Sequence, residues 1–174
     1  VSIHRIAHLI GRLLAQRESQ SWDSLYHTIG YRIRNVSLLS RALTHRSSLD
    51  QSTEQWQSNE RLEFLGDSVL GLVVSHELYR WFPGETEGEL TRMKSYMVSR
   101  ETLGRHATRL NLGAYLLLGN GEDRSGGRTR PSILADVYEA LIGAIFLDGG
   151  LESARRFILR DLGMEKERYI DGKV

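Results

Sequence analysis

The stretch NERLEFLGDSVLG, residues 59–71, combines two kinds of residue that share a helix uneasily. Leu62, Phe64, Leu65, Val69 and Leu70 are core material. Glu60, Glu63 and Asp67 fall at i, i+3 and i+7, which stacks three carboxylates on one helical face. Like charges at that spacing repel by roughly a few tenths of a kcal/mol per pair even when exposed. A chain that sets three anions beside its own core needs a reason for doing so.

Working outward, the stretch opens a long helix expected from about Asn59 to Trp81, closed by Phe82, Pro83 and Gly84. Upstream, DSLYHTIG ends at Gly30, a C-cap residue, and VSLLSRALTH places Val36, Leu38, Leu39, Ala42 and Leu43 on an apolar face. SSLDQSTEQWQS is polar and reads as a loop. Downstream, TEGELTRMKSYMVSRETLGRHATRLNLG predicts two helices broken near Val98 and Ser99. AYLLLGNGEDRSGGRTRPS is Gly-rich and reads as an exposed loop. ILADVYEALIGAIFLD, from Ile133, predicts a buried helix whose Ala135, Ala140, Gly143 and Ala144 admit a close neighbour. LESARRFILRDLGMEKERYI predicts a final amphipathic helix. The expected fold is a single all-α domain.

The composition excludes several classes. With 174 residues, 40% hydrophobic and 26% charged, the chain suits one ordinary domain with a real core. The absence of cysteine removes disulfides, thiolate zinc sites and a cysteine nucleophile. No apolar run approaches the roughly 18 residues of a membrane span, so no membrane partner is expected. A net charge of +1 does not announce a nucleic-acid binder, so any such binding must come from charge distribution. Residues 1–21 form an amphipathic, basic extension with Arg5, Arg12 and Arg17. It reads as a docking helix or, less simply, an organellar presequence; His4 and His8 within it read as a solvated pair. The expected domain spans 22–164, and 165–174 a tail or linker start.

The buried helix repeats the oddity of the opening stretch, with Asp136 and Glu139 at i, i+3 in an apolar segment. Each acid would need its own cationic partner, because burying unpaired charge costs on the order of several kcal/mol. A divalent cation resolves the conflict. Oxygen-only ligands suit Mg²⁺, for which Mn²⁺ can substitute. Glu63 and Asp67 from one helix, facing Asp136 and Glu139 from another, would form an acidic cage of the kind that supports phosphodiester hydrolysis. A di-iron bundle uses Glu-x-x-His pairs, which neither motif contains.

ERLEFLGDS, together with LTHRSS, FPGETEGELTRMKSYMVS, LGNGEDRSGG and SILADVYEALIGAIFLDGG, resembles the ribonuclease III family over about Tyr26 to Phe157. The resemblance implies an all-helical, Mg²⁺-dependent endonuclease domain for double-stranded RNA. It implies a homodimer with two active sites that leaves short 3′ overhangs and serves RNA processing, including that of ribosomal RNA precursors. Glu63, Asp67, Asp136 and Glu139 match the family's catalytic metal-binding acids. Glu60 matches an outer acid, and Glu87, rather than the nearby Glu89, a further acid lining the cleavage valley. The family also has members that have lost these acids and serve as non-cleaving RNA-binding or structural subunits of ribonucleoproteins. The intact acids here speak against that alternative. Nothing after Gly163 is long enough for the double-stranded-RNA-binding domain that many bacterial members append. A cytoplasmic location is expected.

Duplex RNA is recognised through phosphates and 2′-hydroxyls, so basic and small polar residues should flank the acids. Arg124, Ser125, Gly126, Gly127 and Arg128 offer themselves, with Arg130 beside them and with Lys94 and Arg92 downstream of Glu87. His45 reads as a packing residue rather than a base. Phe64, beside the acid face, reads equally as a dimer-interface anchor or a core residue.

Overall fold

Two glycines set the framework on which everything else is hung. A Cβ on Gly66 would collide with the Glu139 carbonyl oxygen, and one on Gly143 with the Leu62 carbonyl oxygen. The helices carrying them, α3 (Glu60–Trp81) and α7 (Pro131–Asp161), therefore cross backbone to backbone. The computed structural model describes residues 22–49 and 57–163. The expected features of the N-terminal extension, the middle of the 47–58 loop and the C-terminal tail lie outside these residues.

The chain divides into two units, Val1–Arg32 and Ile33–Val174. In the first, residues 22–29 form helix α1, which ends at Gly30 with φ +58°. There Arg32 pairs with Asp23 at 3.1 Å and lies 5.2 Å from the Tyr26 ring centroid.

The described residues of the second unit form helices joined by short connections, with one isolated parallel bridge, Thr44 to Leu117. Its order is α2 (Val36–Ala42), α3, α4 (Glu87–Met97), α5 (Arg100–Arg109), α6 (Asn120–Arg124) and α7. The helix starts have local causes. Asn35 caps α2 by accepting from the Ser37 N–H at 3.1 Å. Thr86 caps α4 and receives the Glu89 N–H at 3.3 Å, with Glu89 at the capping-box position. Ser99 caps α5, which accounts for the expected break between α4 and α5. Pro131 opens α7, where its missing N–H costs nothing.

The core sits around α7. Val137, Tyr138, Ala140, Leu141, Ile142, Ala144 and Ile145 are all fully buried, so this helix is apolar nearly all round. Leu62, Val69, Leu70, Val73, Val74 and Leu78 of α3 cover one side and Leu103 and Ala107 of α5 another. The small residues of α7 do admit a close neighbour, as expected. The helix is longer than expected, however. It begins at Pro131 and runs into the final amphipathic segment, interrupted only where Gly150 takes φ +76°.

The Gly-rich segment 114–132 departs further from expectation. It is not an open loop but holds a 3-10 turn at Leu112–Tyr115, helix α6 and a second 3-10 turn at Gly127–Thr129. Arg128 is the reason. Its guanidinium donates to the Gly113 carbonyl at 3.1 Å and the Leu116 carbonyl at 2.7 Å, and pairs with Asp123 at 2.8 Å. These bonds satisfy backbone groups that a loop would leave to water.

Candidate metal centre

Glu63 lies in the first turn of α3, where the helix dipole favours an anion. The Gly66–Gly143 crossing brings it opposite Asp136 and Glu139 on α7. One carboxylate oxygen from each of Glu63, Asp136 and Glu139 lies within 4.8 Å of the others, and all three residues are half-buried. None makes an ion pair or side-chain hydrogen bond with a described residue.

Three other buried acids show what a structurally satisfied carboxylate looks like here. Glu77, 1% exposed, pairs with Arg155 at 2.8 Å and Arg80 at 3.4 Å and contacts His76. Asp161 receives Arg109, His106 and the Tyr138 hydroxyl. Asp148 receives the backbone N–H groups of Arg34 and Asn35 and the Arg34 guanidinium. Hydrogen bonds and cations hold Glu77 and Asp161 below the usual carboxylate range against the opposing effect of burial.

The cluster behaves in the opposite way. Burial, followed by the charges of Asp67, Glu63 and Asp136, pushes Glu139 up to about 8. Burial also raises Glu63, with Asp136, Glu60 and Asp67 adding to it. Asp136 is raised by burial, with Arg100, His45 and Arg46 pulling the other way. Without a cation Glu139 keeps its proton at neutral pH. An anionic oxygen cluster with no ion pair among the described residues fits a hard divalent ion.

The remaining expected residues fall around this trio. Asp67 is exposed, one helical turn beyond Glu63 and outside the tight group, yet among the charges acting on Glu139 it is the foremost. Glu60 is exposed and paired with Arg46 at 3.3 Å. Glu87 is exposed in the first turn of α4, where it accepts from the Thr91 hydroxyl at 2.9 Å; it is not among the main charges acting on the trio. Glu89 is occupied by Arg92 at 2.7 Å.

Among the basic candidates, Arg124 is exposed on α6, and Ser125 is exposed beside it. The Ser125 hydroxyl donates to the Glu122 carbonyl and accepts from Arg130. Gly126 takes φ +82°, and Gly127 is buried against Glu122. Arg128 is the internal staple described above rather than a free phosphate contact, and Arg130 pairs with Glu122. Lys94 is half-buried, with its Nζ and Cε beside Gly71 of α3. His45 accepts the Ser47 N–H at Nδ1, a packing role.

Phe64 is not a core residue. It is 78% exposed and continues into Leu72 and Tyr79 along α3, with Tyr96 exposed on α4. Arg100, whose charge acts on all three cluster acids, had no signal in the sequence, because it lies far along the chain from either acid motif.

An all-α domain with a carboxylate trio at a glycine-tight helix crossing defines a class of helical protein with a candidate metal centre, and the comparisons with known proteins narrow it. The Ribonuclease-III-like family model matches residues 35–165. Ribonuclease 3 of Desulforamulus reducens is 45% identical over 159 residues, which is 91% of this chain and 65% of that protein. Ribonuclease 3 of Geobacter metallireducens is 52% identical over 144 residues, 82% of this chain and 58% of that protein. The crystal structure of the nuclease domain of ribonuclease III from Campylobacter jejuni superposes with a TM-score of 0.75 at 39% identity, covering 82% of this chain and 93% of that one. Another structure of the Campylobacter domain, at 40% identity, TM-score 0.75 and coverages of 81% and 95%, is described by flexibility in a region involved in dimer formation. The chain belongs to the ribonuclease-III-like family. It spans less than two thirds of the length of the two Ribonuclease 3 relatives.

Proposed function

We propose that this chain is a Mg²⁺-dependent endonuclease of double-stranded RNA, acting in the cytoplasm on structured transcripts, ribosomal RNA precursors among them. The observation that carries the reading is the half-buried trio Glu63, Asp136 and Glu139, which has no ion pair among the described residues while Glu77, Asp148 and Asp161 each have one. A divalent cation, Mg²⁺ or in its place Mn²⁺, supplies Lewis-acid activation of the phosphodiester and its attacking water.

Glu63, Asp136 and Glu139 hold that cation, and Asp67 completes the acid face from the outer side. Glu60 and Glu87 lie further out and shape the anionic rim. Arg124, Ser125 and Lys94 meet the RNA backbone, while Gly126, Gly127 and Arg128 keep the α6 segment in the shape that presents them. The exposed stripe of Phe64, Leu72 and Tyr79 supports assembly of two copies, because apolar side chains in a row on one helix are costly to leave in water. Two copies present two acid clusters, one for each strand, and staggered cuts leave short 3′ overhangs.

The test is cleavage of a long, end-labelled duplex RNA with Mg²⁺ beside its separated strands. Duplex-selective cutting into fragments with recessed 5′ ends supports the proposal. Duplex binding without cutting would instead make the chain a non-cleaving subunit.

A further inference from the structure

The acid cluster is approached by three basic groups, and two are already committed. Arg46 is ion-paired with Glu60 at 3.3 Å. His45 engages Ser47 through Nδ1, and burial lowers its pKa. Arg100 differs. It is exposed and makes no ion pair or side-chain hydrogen bond with a described residue. Its charge acts on Glu63, Asp136 and Glu139 alike.

The backbone puts it there. Ser99 Oγ accepts the Thr102 N–H at 3.2 Å, which starts α5 and makes Arg100 its first residue. One turn later, Gly104 lies against α7: a Cβ there would come 2.9 Å from the Pro131 carbonyl oxygen. Residues at i and i+4 share a helix face. Arg100 therefore extends from the side of α5 that meets the first turns of α7, the helix of Asp136 and Glu139. A planar guanidinium with no partner among the described residues, at the edge of an anionic cluster, matches the paired oxygens of a phosphate.

We infer that Arg100 is a substrate-positioning residue whose guanidinium grips the non-bridging oxygens of a phosphate in the RNA strand lying on the acid cluster. This role rests on the nuclease reading above. The carboxylates repel the RNA backbone where it must approach most closely, and Arg100 offsets that repulsion without occupying the acids.

The test compares the full chain with Arg100→Gln, Arg100→Lys and, as a matched control, Arg105→Gln; Arg105 is exposed and paired with Glu101 at 3.1 Å. Binding of a fluorescent duplex RNA is read in EDTA across a salt series, so that affinity is seen without turnover. Mn²⁺ binding to the protein alone and thermal melting are read on the same preparations. Arg100→Gln should weaken duplex binding about threefold to tenfold at low salt and reduce the log–log salt slope by about 0.9, one phosphate contact. Arg100→Lys should keep the slope. Mn²⁺ should bind Arg100→Gln more tightly, because the lost charge repels cations; a merely structural defect would weaken both ligands and lower the melting temperature. An unchanged slope in Arg100→Gln, an equal fall in Arg105→Gln, or weakened Mn²⁺ binding would overturn the inference. If the parent binds and cuts duplex while Arg100→Gln keeps its slope, only the role of Arg100 fails. If the parent neither binds nor cuts, the nuclease reading fails and Arg100 with it.

Discussion

Replacing Glu139 by Gln removes one negative charge from the cluster while keeping size and hydrogen-bonding capacity, and its effect on the metal-free fold can be worked out. Glu139 titrates near 8 in the folded chain against an ordinary value of 4.5. Below pH 4.5 the group is neutral in both folded and unfolded chains and costs nothing. Between 4.5 and about 8 the folded chain keeps a proton that the unfolded chain releases, so stability falls as pH rises. Above about 8 the whole cost is present. At about 1.4 kcal/mol per pKa unit the ceiling is about 5 kcal/mol. Partial exposure lets water screen the group, leaving about 2–3 kcal/mol. Gln never pays this electrostatic cost. At about 2–4 °C per kcal/mol, Glu139→Gln should melt about 5–10 °C above the parent at pH 9 and level with it at pH 4, both in EDTA. The same variant should lose Mn²⁺ affinity and cleavage while binding duplex at least as well as the parent. A melting difference that does not vary with pH, or a variant less stable at every pH, would refute the electrostatic reasoning.

Other changes separate the parts of the account. Phe64→Ala, at a residue 78% exposed, should leave monomer melting nearly unchanged yet weaken self-association by about 2 kcal/mol or more, read by sedimentation at several concentrations. A parent that sediments as a monomer would sink this. Gly66→Ala places a methyl in the Glu139 carbonyl, so melting should fall by an amount equivalent to about 3 kcal/mol or more, with loss of Mn²⁺ binding. Arg128→Gln breaks two bonds to carbonyls and one ion pair and should cost about 2–4 kcal/mol in melting, with only a small effect on the salt slope of RNA binding through the loosened α6 segment. Arg124→Gln should do the reverse. If the two exchange behaviours, the staple and the phosphate contact have been assigned to the wrong residues.

What could be read from the sequence was whatever has a local cause. Ser99 marks the break before α5, and the spacing of Glu60, Glu63 and Asp67 marks their common helix, whereas Pro131 went unread as the start of α7, which is expected only from Ile133. The small residues of α7 signalled a close partner, and Gly143 is indeed a point of backbone approach; its counterpart Gly66, inside the opening stretch, was not recognisable as one. Contacts between distant residues left no comparable mark. Arg128 resembles any loop arginine until the Gly113 and Leu116 carbonyls are seen to need donors. Phe64 read equally as core or interface, because sequence neighbours do not say which face of α3 another helix covers. The separation of Asp67 from the tight trio depends on the depth of each side chain at the α3–α7 crossing, which helical periodicity does not encode.

The most direct test of the metal centre is the anomalous difference density of crystals of this chain soaked in Mn²⁺. The account predicts a peak among the carboxylates of Glu63, Asp136 and Glu139, absent from crystals of Glu139→Gln. No peak at that position, or an equal peak in the variant, would contradict it.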